Sequence, residues 1–210
     1  MAIGLATPGR TAIEDPPLAR FLFSNPVTAP LWLVLRVFLG YQWVTAGWHK
    51  VQDPAWMATG DGLKAFLTRA AAIPAAPAKA AITFDWYRSF LQGLLDAQVY
   101  TWFAKVVAVG ELLIGVALIL GLFTGIAAFF AGFMNWNFMM AGAASTNPLL
   151  FAIAVALILA WKVAGYYGLD RYVLPALGTP WQAGDVLGGS PAAGPAGGAA
   201  APGGAPAHVR

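Results

Sequence analysis

Hydrophobic positions along the chain fall into long blocks separated by turn chemistry. The first block runs from Leu31 to His49 with Arg36 as its one charged residue. At about 1.5 Å of rise per residue, a helix of that length nearly crosses a hydrocarbon core of about 30 Å. Residues 106–161 form a second block with a single ionisable group, Glu111, and at about 20 residues per span this leaves room for two to three crossings. Gly121 to Gly125 reads as a helix stop followed by Thr124 as a new N-cap, and Asn147 before Pro148 reads as an N-cap with proline at the first helical position. The pattern predicts an all-α membrane protein, a four-transmembrane-helix bundle with spans at 31–49, 101–122, 125–144 and 148–164. Gly121 and Gly125 match GxxxG, but they straddle a turn, so the dimerisation reading does not apply.

Residues 50–99 are too polar to cross and too patterned for a loop. Asp61 is placed to cap a helix carrying Leu63, Phe66, Leu67 and Ala70 on one face, and Asp85 to cap another carrying Trp86, Phe90, Leu91 and Leu94. Both read as amphipathic interfacial helices between the first and second spans. Asp53 before Pro54 starts a short additional turn. Residues 1–29 form an N-terminal tail with no apolar run long enough for a signal peptide, so it is expected to be retained. The membrane domain covers 30–182, and 183–210 is a Gly/Ala/Pro-rich tail expected to be disordered, since it cannot bury enough apolar surface to offset its ordering entropy.

Composition sharpens this picture. Hydrophobic residues make up 59% of the 210 and charged residues 10%, against about 25% charged in soluble domains. The net charge of +3 comes from 12 basic and 9 acidic residues, which leaves no basic patch for nucleic acid. With no cysteine and only His49 and His208, the chain offers no thiolate and no paired imidazole ligands, so no metal, haem or iron–sulfur centre is expected. Trp32, Trp48, Trp102, Trp161, Tyr166 and Tyr167 fall near span ends, as interfacial belts do. Lys and Arg occur on both sides of the predicted bundle, so membrane sidedness stays open.

Arg36 and Glu111 are the costly residues, because an unpaired charge near the bilayer centre costs at least about 2.5 kcal/mol. Counting inward from the terminal side places Arg36 about 8 Å deep and Glu111 about 16 Å, a gap that an extended arginine spans. The pair reads either as a buried ion pair fixing helix register or as a proton-accepting carboxylate beside a quinone or other ligand. Asn135 is level with Glu111, and Trp43 lies on the Arg36 face of its helix, giving a midplane layer of Glu111, Asn135 and Trp43. Asn137 is about 200° around from Asn135 and cannot share its pocket. An interhelical hydrogen bond is the alternative role for either asparagine. Met134, Met139 and Met140 read as lipid or core packing, or as a flexible ligand wall. At the opposite interface His49, Lys50 and Lys105, with Ser145, Thr146 and Asn147, form either a cationic mouth for a small anion or ordinary snorkelling helix ends. Asp170-Arg171 reads as a helix cap and headgroup contact.

Arg36 with Gly40, Ala46-Gly47-Trp48-His49-Lys50, Gly110-Glu111 with Gly115, the Leu118 to Thr124 turn, Ser145-Thr146-Asn147-Pro148 and Gly168-Leu169-Asp170-Arg171 together resemble the DoxX/DoxD membrane proteins. The segment with Asp53-Pro54-Ala55-Trp56 and Asp85-Trp86-Tyr87-Arg88 is similar to the DoxD-type insertion. The resemblance covers roughly residues 30–182 and implies a four-helix protein of a bacterial or archaeal cytoplasmic membrane. It further implies quinone as electron acceptor and, in the DoxD case, thiosulfate oxidised to tetrathionate with a small DoxA-like partner. Under that reading His49, Lys50 and Lys105 attract the anion and Glu111 handles quinone protonation. A non-catalytic membrane anchor for soluble redox or sulfur-transfer proteins and a small-anion or lipid carrier are the competing classes.

Overall fold

The computed structural model describes residues 15–177, and every regular element in that range is helical. The predicted tail at 183–210, His208 and residues 1–14 of the predicted N-terminal tail lie outside the described residues. Helix α1 (Pro17–Ser24) and a 3-10 turn at Pro26–Thr28 lead into α2 (Ala29–Gln52), α3 (Pro54–Met57), α4 (Asp61–Ala71) and α5 (Asp85–Asp96). Then follow α6 (Tyr100–Leu120), α7 (Thr124–Met140), α8 (Asn147–Leu159), α9 (Trp161–Ala164) and α10 (Asp170–Ala176).

Turn residues set most of these boundaries. Asp53 Oδ1 accepts the Ala55 N–H at 2.8 Å and starts α3, and Gly121 ends α6 in the left-handed region at φ +66°. Four caps differ from the sequence-based expectation, and in one of them Thr124 is the first residue of α7 instead of its N-cap. Asp61 and Asp85 lie inside their helices instead of capping them; the Asp61 N–H is met by Thr59 Oγ1 at 3.3 Å, and Asp85 pairs with Arg88 at 2.5 Å. Asn147 likewise begins α8 from within, its Nδ2 donating to the Ala143 carbonyl at 2.7 Å. The predicted fourth span is interrupted at Ala160 and resumes as α9.

Helix α2 packs along α6, and α7 along α8, the two most extensive contacts among the described residues. Glycine makes the first of them. A Cβ on Gly47 would lie 2.5 Å from the Leu112 amide nitrogen, and one on Gly115 2.5 Å from that of Val44, so the two backbones touch without intervening side chains. Gly47→Leu is therefore expected to lose about 3 kcal/mol, the upper end for overpacking, because backbone cannot yield as a side chain does. Gly110→Ala on the same α6, whose added Cβ meets nothing within 4 Å, should be neutral or gain up to about 1 kcal/mol. Thermal melting of both variants in detergent checks the contrast.

The distribution of polarity is inverted relative to a soluble bundle. Arg36, Glu111, Asn135, Thr124 and Asp170 are at most 1% exposed, while Val34, Phe38, Leu113, Phe129 and Phe133 face outward. Apolar surface of this extent needs an apolar solvent. Among the described residues two helical stretches, Pro26–Gln52 and Tyr100–Leu120, are long and apolar enough to cross a bilayer, and α8 is apolar but shorter. Helices α4 and α5 pack on each other and α4 on the start of α6, burying Leu63, Leu67, Tyr87, Leu91 and Tyr100. The Tyr87 hydroxyl faces the Asn137 carbonyl at 3.0 Å and Oδ1 at 3.2 Å. Burial pushes the phenol up, which keeps it a donor.

Candidate functional site

Arg36, Trp43 and Lys50 recur every seven residues on α2, so they share its inner face at three depths. Helix α2 ends at Gln52, beyond the predicted end at His49, and Lys50 therefore still points inward. Its Nζ lies 2.6 Å from Glu111 Oε1 and 2.5 Å from Oε2. Glu111 is fully buried, and the Lys50 side chain is 21% exposed. The ammonium also lies over the Trp56 ring at 5.1 Å and the Phe138 ring at 5.7 Å, a desolvated setting in which cation–π attraction is strengthened. Trp56 reaches the site because the Asp53-Pro54 turn folds the chain back.

This pair borders a cavity of about 300 Å³ whose wall includes Trp43, Trp56, Phe66, Phe138, Asn135 and Gln42, with Thr146 and Asn147 also in contact with it. Trp43 and Phe138 stack with centroids 6.4 Å apart. Three buried polar atoms at this site have no hydrogen-bond partner: Asn135 Nδ2, Asn135 Oδ1 and Trp43 Nε1. Leaving a buried polar group unpaired costs about 1–3 kcal/mol, so orphaned groups beside a cavity make it the candidate ligand site. The set combines a carboxylate able to hold or release a proton, an ammonium, two neutral donors and flat aromatic walls.

The structure brings together Glu111, Asn135, Trp43 and Lys50 from the predicted site and separates the rest. His49 and Lys105 are exposed and stand outside the cavity wall, so the predicted cationic mouth of His49, Lys50 and Lys105 does not form. Its one inward cation, Lys50, is neutralised by Glu111. The predicted Arg36–Glu111 pairing is also corrected. Gly40 packs against Gly115 and Ile119, so Arg36, a turn further along, comes level with Gly121, about ten residues or 15 Å from Glu111 along α6. Asn137 faces a different cavity from Asn135. Trp56 enters the sequence reading only within the insertion, Phe66 only on an amphipathic face, and Phe138 not at all, because nothing local in the sequence ties an aromatic side chain to a partner on another helix.

Arg36 instead belongs to a corner at the other end of the bundle. Its Nη2 donates to the Tyr167 carbonyl at 3.2 Å, and a Cβ on Gly121 or Gly168 would collide with Nη1. The carboxylate whose charge acts on it is Asp170. Asp170 accepts the N–H groups of Phe123 at 2.5 Å and Thr124 at 2.8 Å, so it caps α7 from 46 residues away, the role the sequence assigned to Thr124.

No curated protein and no solved structure matches the chain. The DoxX family model matches residues 31–147, a stretch that runs from α2 to the start of α8 and contains Lys50, Glu111, Asn135 and the aromatic wall around them, and the chain accordingly belongs to the DoxX family.

Proposed function

We propose that the chain is a quinone-binding membrane subunit of an oxidoreductase, in which α2, α6, α7 and the α8–α9 pair all cross a bacterial or archaeal cytoplasmic membrane as one domain over residues 30–182. The observation that carries this reading is the set of orphaned groups, Asn135 Nδ2 and Oδ1 and Trp43 Nε1, on residues that line the same cavity as the Lys50–Glu111 pair. A quinone ring is flat, enters from the membrane, and presents carbonyl oxygens that accept hydrogen bonds and are protonated on reduction. Asn135 Nδ2 and Trp43 Nε1 are the donors for those oxygens, Phe138 the stacking surface, and Glu111 the group that holds a proton within the cavity. Lys50 stabilises the Glu111 carboxylate once that proton has left.

Thiosulfate remains the electron donor this reading favours. Two thiosulfates join through a new S–S bond to give tetrathionate, releasing two electrons that, with two protons, convert quinone to quinol. Because Lys50 is engaged by Glu111 and His49 and Lys105 form no shared mouth, the anion is assigned to a small DoxA-like partner, not to the cavity.

Asn135→Leu tests the reading. The amide has no partner among the described residues, so its removal should leave the melting temperature unchanged or raised. Quinone affinity, followed by quenching of tryptophan fluorescence with a short-chain quinone, should fall about tenfold, the worth of one hydrogen bond. Unchanged affinity in folded protein would favour the non-catalytic anchor for soluble redox partners.

A further inference from the structure

A second cavity, of about 190 Å³, lies between the interfacial helices α4 and α5 and the flanks of α6 and α7. Its chemistry is the opposite of the first. Its wall is aliphatic and aromatic, including Leu67, Leu91, Leu94 and Phe133, apart from Tyr87 and Asn137. Those two satisfy each other, since the Tyr87 hydroxyl meets the Asn137 carbonyl and Oδ1 and Asn137 Nδ2 donates to the Phe133 carbonyl at 2.8 Å. No polar group of this wall is left orphaned, so the space suits an occupant that needs no hydrogen bonds.

Three further observations identify that occupant. Phe66 and Phe138, edge to face with centroids 6.0 Å apart, belong to the walls of both cavities, so this aromatic pair lies where the apolar space adjoins the polar one. Phe90 and Phe133 on the rim are half exposed, which opens the apolar cavity toward the outward, lipid-facing side of α7. At about 190 Å³ it is smaller than the roughly 300–1,000 Å³ of self-contained ligand pockets, and therefore holds part of a chain whose remainder continues into the bilayer.

We propose that the apolar cavity between α4, α5, α6 and α7 is the tail subsite of the same ligand whose ring sits against Asn135, making that ligand a prenylated or alkylated lipid with a carbonyl-bearing head. The inference rests on the head-site reading above and adds the entry route: the ligand arrives laterally from the membrane beneath α5, and its first chain units pass the Phe66–Phe138 pair. Helices α4 and α5 then serve as the roof of a lipid site, which accounts for their unbroken apolar faces.

Photolabelling of the full chain in liposomes tests this with two quinone analogues, one carrying a diazirine on the ring and one on the first isoprene unit. The tail-labelled analogue should modify peptides of α4 and α5 severalfold more than the lipid-exposed Phe129–Phe130 surface, and excess unlabelled prenylated quinone should suppress that labelling. Leu94→Trp, which fills the half-buried margin of the cavity, should reduce tail labelling severalfold while ring labelling near Trp43 and Phe138 persists. Leu91→Trp provides the same test if Leu94→Trp does not fold. Ring labelling inside with tail labelling spread over the outer surface would overturn the tail subsite and leave the head site standing. Absence of competable ring labelling near Trp43, Phe138 and Asn135 would overturn the head site and the tail subsite with it.

Discussion

Glu111→Leu is expected to destabilise the protein by about 3 kcal/mol and to abolish quinone reduction, and adding Lys50→Met should restore the first property without the second. The single substitution strands an ammonium between the Trp56 and Phe138 rings with its counter-ion gone. Breaking a buried pair costs about 3–5 kcal/mol, and the lower figure applies because Lys50 keeps 21% exposure and can swing toward water. Lys50→Met alone should cost at least as much, since the fully buried Glu111 has no route out and must take up a proton. Exchanging both partners for apolar residues of similar volume removes two desolvation costs together with their attraction, and the sum is near zero. A melting series over wild type, both single variants and the double variant measures the coupling. The functional prediction separates the two roles of the pair: a double variant that melts normally and still reduces quinone would make the pair a register device, whereas one that melts normally and is inactive assigns the proton to Glu111.

The helices were legible in the sequence because bilayer-length apolar runs and Asn-Pro or Gly punctuation are local signals. Glu111, Asn135, Trp43 and Lys50 were legible as candidates for the same reason, being polar or bulky groups in places where burial is costly. Their partners were not. Depth counted from predicted helix ends put Arg36 within reach of Glu111, but the level of one helix against another is set by which small residues meet, here Gly40 against Gly115 and Gly47 against Leu112. Lys50 reads as a snorkelling helix end when the span stops at His49, but α2 continues to Gln52 and keeps Lys50 on the face of Arg36 and Trp43. Contacts formed across many residues, such as the approach of Trp56 or Phe138 to Lys50, leave no periodic trace in a single chain.

Asp170 shows the same limit and carries the second large effect. Asp170→Ala should destabilise by about 3–5 kcal/mol although the residue lies far from the cavity. Its carboxylate is 1% exposed and accepts both the Phe123 and Thr124 N–H groups. Losing a cap costs about 0.5–2 kcal/mol, and the remainder comes from leaving Arg36 buried with no opposing charge. Asp170→Asn keeps one acceptor oxygen and loses the charge, so roughly half the loss is expected. Arg36→Met should cost less than Asp170→Ala, because the Asp170 carboxylate it leaves behind still accepts the Phe123 and Thr124 N–H groups at the start of α7, and Arg36 Nε and Nη1 already lack partners. Melting temperatures in detergent order the three variants. Short-chain quinone affinity decides what the corner is for: Asp170→Asn should bind within about twofold of wild type, since the cavity lies toward the Trp43 and Lys50 end of α2 and less than about 0.4 kcal/mol of coupling is expected over that distance. A tenfold loss of affinity in a stable Asp170→Asn protein would instead join the Arg36 corner to the ligand site, and would require the α2–α6 contact at Gly40 and Gly47 to transmit the change.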